Sequence, residues 1–156
     1  MKLSGEFTVP ARREIVFERL TNAQFFASCL EGASDLVEVD PTHYTATLET
    51  RIAYIKFKFA VSVEFAERVP PEKVVAKAEG KPLGVVGRLT ATASAVLSEA
   101  GDDTLVKYDI DVALAGKLGS IGQPVLKSKA KSMERSFVQN LNDAFQKPSA
   151  VPAVSA

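Results

Sequence analysis

The chain has 156 residues, with 19 basic and 19 acidic side chains, one cysteine and no tryptophan. A formal net charge of zero removes the whole-chain field that nucleic-acid binding relies on, the lone cysteine excludes an internal disulfide, and no apolar run approaches the roughly 20 residues of a membrane-spanning helix. What remains is a single domain, large enough to bury roughly two thirds of its unfolded surface without a metal or a disulfide.

Leu3, Gly5, Phe7 and Val9 alternate as one face of a strand, and Pro10 ends that strand and opens a helix. The start, MKLSGEF, reads as strand and not as a basic-then-apolar leader, so the expected location is the cytoplasm. Ile15, Val16, Arg19 and Leu20 follow at helical spacing. A second short stretch, Phe25, Phe26 and Leu30, ends at Gly32, which suits a helix C-cap. The opening is therefore strand, helix, helix, an unusual start for an α+β domain.

After Gly32 the period changes to two. Leu36 to Val39 is a weak strand, Asp40-Pro41-Thr42 a turn, and Tyr44, Ala46 and Leu48 alternate in the next strand. In the clearest strand Phe57, Phe59, Val61, Val63 and Phe65 share one face, opposite Lys56, Lys58, Ser62 and Glu64. Pro70-Pro71 marks a turn, Val74 to Glu79 a short strand, and Gly80-Lys81-Pro82-Leu83-Gly84 a loop. Leu89, Ala91, Ala93, Ala95 and Leu97 then lie opposite Arg88, Thr90, Thr92 and Ser94. Past the hairpin turn at Gly101-Asp102-Asp103, Val106, Tyr108, Ile110, Val112 and Leu114 alternate with Lys107, Asp109 and Asp111, which read as solubilising charge.

From about Lys117 to Lys147 the period is helical again, through Leu118, Ile121, Val125, Met133, Phe137, Leu141 and Phe145, with Lys127, Lys129, Lys131, Glu134 and Arg135 filling much of the remaining circumference. Pro124 predicts a kink or the true start of the helix. Residues 1–147 are thus expected to form one domain, and PSAVPAVSA, 148–156, a flexible tail. The order predicts an α+β helix-grip fold: a seven-stranded antiparallel sheet, two short helices after its first strand, and a long C-terminal helix over its apolar face.

Three alanines on one strand face either let a helix press close or leave a cavity above them. The candidate walls of such a cavity are Leu48, Phe57, Phe59, Ala91, Ala93, Tyr108 and Ile110 from the sheet and Met133, Phe137 and Leu141 from the helix, with Phe25 and Phe26 as a lid opposite it. Periodicity leaves the open cavity and a solid core as equal readings.

Chemistry is sparse. His43 sits beside a turn, Cys29 lies in an apolar stretch with no base next to it, and no metal-ligand spacing or nucleophile motif occurs. Gly80, Gly84 and Gly87 precede a strand, so the helix dipole of a phosphate loop is missing. Gly116, Gly119 and Gly122 mark either a hinge at the cavity mouth or a plain flexible connection. The cluster Lys117, Lys127, Lys129 and Lys131 reads by default as a solvated face, and would also suit an anionic membrane surface or an acidic partner. An enzyme would need a polar group inside the cavity, for which Tyr108 and Tyr44 are the candidates.

The segments LSGEFTVPARREIVFERLTNAQFFASCLEG, EGKPLGVVGRLTATASAVLSEAGDDTLVKYDIDVALAGKLGSIG and AKSMERSFVQNL resemble the CoxG family of carbon monoxide dehydrogenase subunits, within the START-like, Bet v 1-like (SRPBCC) superfamily. One departure is Cys29-Leu30-Glu31-Gly32, where many relatives have Cys-Ile-Pro-Gly. The resemblance implies a helix-grip fold around an apolar cavity, and a non-enzymatic accessory role. A bound quinone or lipid would be its only cofactor, and its partner a molybdenum-containing CO dehydrogenase or related hydroxylase recruited to the inner face of the cytoplasmic membrane. The superfamily's cyclases and hydrolases, and an interaction module with no ligand, are the alternatives.

Overall fold

The computed structural model describes residues 1–146; the expected tail lies outside them. Strand β1 (Lys2–Val9) is followed by helices α1 (Arg13–Leu20) and α2 (Ala23–Cys29), then by six strands: β2 (Ala33–Asp40), β3 (His43–Ile52), β4 (Ile55–Val69), β5 (Lys73–Pro82), β6 (Gly87–Ala100) and β7 (Asp103–Gly116). A single 3-10 turn (Lys117–Ser120) leads into helix α3 (Gln123–Gln146). The strands form one antiparallel sheet in the order β1-β7-β6-β5-β4-β3-β2, a meander that β1 closes by pairing with β7. This is the helix-grip α+β arrangement that the alternating and helical periods predict.

Register explains the two faces. Leu3, Gly5, Phe7 and Val9 lie opposite Ile110, Tyr108, Val106 and Thr104, and the pairing continues through Leu97, Ala95, Ala93 and Ala91 of β6 to Val74, Ala76 and Ala78 of β5. Successive side chains of a strand point to opposite faces, so these residues share the face beneath α3. At about 1.5 Å per residue the 24 residues of α3 reach roughly 36 Å. The helix comes closest to the sheet at β1 and at β3, so it bridges the curved sheet from one side to the other.

Four elements differ from expectation. β5 runs on to Pro82, because Gly80 still pairs with both Val61 and Leu89; the loop is shorter and lies later, at residues 83–86. β2 starts at Ala33, three residues early, its alternation obscured by irregular register between Ser34 and Val37. Leu118 and Ile121 precede α3, and Pro124 stands in its first turn without a kink, where a missing amide hydrogen costs nothing. Gly32 is not the cap of α2, a place taken by Leu30. It has φ +92°, and a Cβ there would run into the Glu49 carbonyl oxygen, so glycine is needed where the chain turns against β3.

Candidate functional site

Buried side chains gather in two separate clusters. The larger takes Val9, Val16, Phe17, Leu20, Cys29, Leu97, Val106 and Leu141, with Phe7, Phe25, Phe137 and Phe145 packed on it. It fills the end of the sheet under α1, α2 and the C-terminal half of α3. Arg19 stacks on Phe25 and Phe145, 5.2 and 5.7 Å from their ring centres, and the Asn140 amide donates to the Cys29 carbonyl at 3.0 Å. The smaller cluster, Ile52, Phe57, Phe59 and Leu118, lies at the opposite end and is edged by Leu48, Val61, Leu89, Leu114 and Ile121.

Between them runs a strip of the inner face on which Ala76, Ala78, Ala91, Ala93, Ile110 and Val112 are only half-buried. Helix α3 packs on β1 and β3, on either side of these residues. A cleft of about 350 Å³ opens between Thr50 and its neighbours on β3, Leu30 and Glu31 after α2, and Lys129, Ser132, Met133 and Ser136 of α3; the strip residues do not line it. A shallower groove of about 380 Å³ lies on the outer face of the sheet, over Thr45, Thr47, Ala60 and Ser62.

The expected wall residues are thus distributed over three places. Ala91, Ala93 and Ile110 floor the strip, Tyr108 stands at its inner end and Met133 lines the cleft. Phe57 and Phe59 stack on each other at 5.7 Å within the smaller cluster, with Leu48 at its edge. Phe25, Phe137 and Leu141 belong to the larger one, where Leu141 is 0% exposed. The lid differs from expectation: Phe26, 40% exposed, rests on Phe137 at 4.9 Å and Phe25 on Phe145 at 6.0 Å. Both rings therefore brace α3 directly and do not face it across a gap. The cleft is also more polar than the expected walls, since Glu31, Glu49, Arg51 and Lys56 rim it, Lys56 pairing with Glu49 at 3.3 Å.

Glu134 is a site residue whose charge alone would place it on the outside. It reaches under α3 and accepts a hydrogen bond from the Tyr108 hydroxyl. Its spacing, three before Phe137 and four after Ala130, is the signal that places it on the inward face. Burial first, and Glu134 second, push the Tyr108 phenol well above its ordinary value, so it keeps its proton and donates it in this hydrogen bond. Tyr44 turns its hydroxyl to the Pro41 carbonyl at 3.2 Å, and its ring packs on Phe65. Cys29 is buried, which pushes its thiol up, and His43 sits on the β2–β3 turn beside Asp40. Among the described residues no group of three or more His, Cys, Asp or Glu is placed to hold a metal.

The loops at the small-cluster end form a surface of their own. Tyr54 is 98% and Val86 81% exposed, and Ile55, Leu83 and Val125 join them. Residues 50–58, 80–88 and 112–133, which converge there, hold nine lysines and arginines and no aspartate or glutamate. Gly116, at φ +66°, brings the chain so close to Val86 and Gly87 that a Cβ would stand 2.6 Å from the Val86 carbonyl oxygen, so the glycine serves close approach. No helix among the described residues is long and apolar enough to cross a membrane.

The model of the CoxG family, named for the CoxG subunit of carbon monoxide dehydrogenase, matches residues 5–146. Among solved structures, a conserved protein from Geobacillus kaustophilus superposes with a TM-score of 0.86 at 22% identity, over 94% of this chain and 96% of its own. A START superfamily protein from Mycobacterium smegmatis gives 0.66 at 15%, over 92% and 95%, and Ara h 8.0201 gives 0.60 at 10%, over 92% and 96%. At such identities the likeness is one of fold. No curated protein sequence gives a significant match.

Proposed function

The chain belongs to the CoxG family of carbon monoxide dehydrogenase subunits, and on that footing we propose that it is a non-enzymatic accessory protein. It holds a hydrophobic molecule, a quinone or a lipid, beneath its long helix, and helps recruit a molybdenum-containing CO dehydrogenase or related hydroxylase to the membrane. The observation that carries this reading is the half-buried alanine strip under a helix that touches the sheet at β1 and β3. Apolar surface left partly exposed between two packed clusters is what an apolar guest would cover. Exposed apolar loops inside a predominantly basic surface, where Glu49 and Glu79 offset only Lys56 and Arg88, support the membrane encounter, since apolar tips gain by entering the interface and each nearby cation gains from anionic lipid.

Extraction of the purified protein into organic solvent, followed by mass spectrometry, tests the carrier reading. An apolar molecule near equimolar with protein is the expected result. A protein that carries nothing apolar and binds no quinone analogue would sink it.

A further inference from the structure

Every inward-facing residue of β1, β5, β6 and β7 is apolar or glycine except Thr104, Tyr108 and, at the exposed tip of β6, Glu99. Thr104 is fully buried and commits its hydroxyl to the Ala11 carbonyl at 2.7 Å. Tyr108 is different: it is half-buried, lies opposite Ala95 and Gly5, and stands where the packed end gives way to the strip. Space has been cleared for its pairing with Glu134, because a Cβ on Gly5 would lie 2.5 Å from Glu134 Oε2 and 2.6 Å from the Tyr108 oxygen. One helical turn before Glu134, Ala130 leaves the approach to the carboxylate low.

Proton accounting gives this pair a direction. The Tyr108 hydroxyl has one hydrogen and donates it to Glu134 Oε2, and its raised pKa keeps that hydrogen in place. Glu134 Oε1 accepts no hydrogen bond from the described residues. With the Tyr108 hydrogen committed to Oε2, what the pair offers a guest is lone pairs on Oε1 and on the phenol oxygen. A guest hydroxyl can donate to them; a carbonyl or ether oxygen brings lone pairs against lone pairs. We propose that Tyr108 and Glu134 form a selectivity element that admits apolar molecules ending in a hydroxyl, of the phenol or quinol class, over their carbonyl and ether counterparts.

This rests on the reading that the space under α3 holds an apolar molecule, narrows its quinone candidate to the reduced, quinol form, and is separated from that reading by the test. The full chain, stripped of bound lipid, is titrated with 1-naphthol, 1-methoxynaphthalene and 1,4-naphthoquinone, which share a ring system and differ in their oxygens. The expected result is that 1-naphthol binds roughly tenfold or more tightly than the other two, the worth of one hydrogen bond to a charged acceptor. Glu134→Gln keeps the shape and offers an amide donor, and should bring the three within about threefold. Tyr108→Phe leaves the carboxylate and should keep the preference for 1-naphthol. Equal binding of naphthol and its ether by the unaltered protein, or an unchanged preference in Glu134→Gln, overturns the selectivity element and leaves the apolar carrier standing. Binding of none of the three overturns both.

Discussion

At the end of the sheet under α1 and α2, eight buried side chains from six different elements make a continuous core, closed by an Arg19 cation between two phenylalanine rings. At the other end four buried side chains, two of them adjacent rings on β4, hold the hairpins together, and the loops beyond them leave tyrosine and valine in water. The same sheet thus runs from a solid end with acidic turns to a thinly packed, basic and apolar one. A domain that needed only stability would have no use for the second end, since exposed apolar loops are a liability unless something covers them. The packed half supplies the frame, and on the proposed function the thinner half supplies access.

Matched substitutions should break that contrast most sharply. Leu141→Ala empties a 0% exposed site in the larger cluster and should cost about 2–5 kcal/mol by urea denaturation. Ala93→Leu adds three carbons on the same sheet face, where an overpacked core would lose about 1–3 kcal/mol. In the half-buried strip it should cost less than about 1 kcal/mol, while reducing binding of an apolar fluorescent probe by roughly tenfold or more. A penalty for Ala93→Leu as large as that for Leu141→Ala would mean that the strip is as tightly filled as the packed end.

A smaller effect is expected at the loops. Val86→Asp puts a carboxylate at an 81% exposed tip among nine cations, and should lower co-sedimentation with phosphatidylglycerol vesicles severalfold, with urea stability within about 0.5 kcal/mol of the unaltered chain. The matching change at the acidic end, Asp102→Lys, should leave sedimentation unaltered. If both variants sediment like the original, the difference between the ends has no bearing on membranes.

Much of this architecture is written in local pattern. Strict alternation through Phe57–Phe65 and Val106–Leu114 yields β4 and β7 because one face of each is wet, and the 3.6 period through Met133, Phe137, Leu141 and Phe145 yields α3. What local pattern lacks is height above the sheet. Whether Ala91 and Ala93 touch the helix depends on where α3 rests, and that is decided by β1 and β3, distant in sequence from both. Gly32 resembles a cap because helix ends favour glycine, whereas its neighbour is a carbonyl on a strand that begins eleven residues later. Glu134 is hidden by its charge: a carboxylate on a helix reads as solvated until a tyrosine from another element is found facing it. The predominantly basic loop surface likewise exists only once three separate segments are folded to one end.

The smallest expected effect concerns the acidic end and carries a definite sign. On the β2–β3 turn His43 Nδ1 lies 2.9 Å from Asp40 Oδ1, the Thr42 amide donates to the same oxygen at 2.9 Å, and Glu64 Oε2 is 3.6 Å from His43 Nε2. The hydrogen bond with His43, then that from the Thr42 amide, holds the Asp40 carboxyl at about 2, and the hydrogen bond to Asp40 raises the His43 imidazole. A raised base contributes stability in full below its unfolded pKa, about 6.5, and loses it as pH rises through the folded value. A lowered acid contributes above its unfolded pKa, about 3.9, and loses it as pH falls towards 2. The turn is therefore tightest between about pH 4 and 6.5. Because Asp40 and His43 are exposed, solvent screens most of the gain. The urea midpoint of the unaltered chain should fall slightly more from pH 5 to pH 8 than that of His43→Gln, with ligand binding equal in both. A larger fall in the variant, or a binding difference, would tie this turn to the far end of the molecule and erase the division between a framing half and an accessible one.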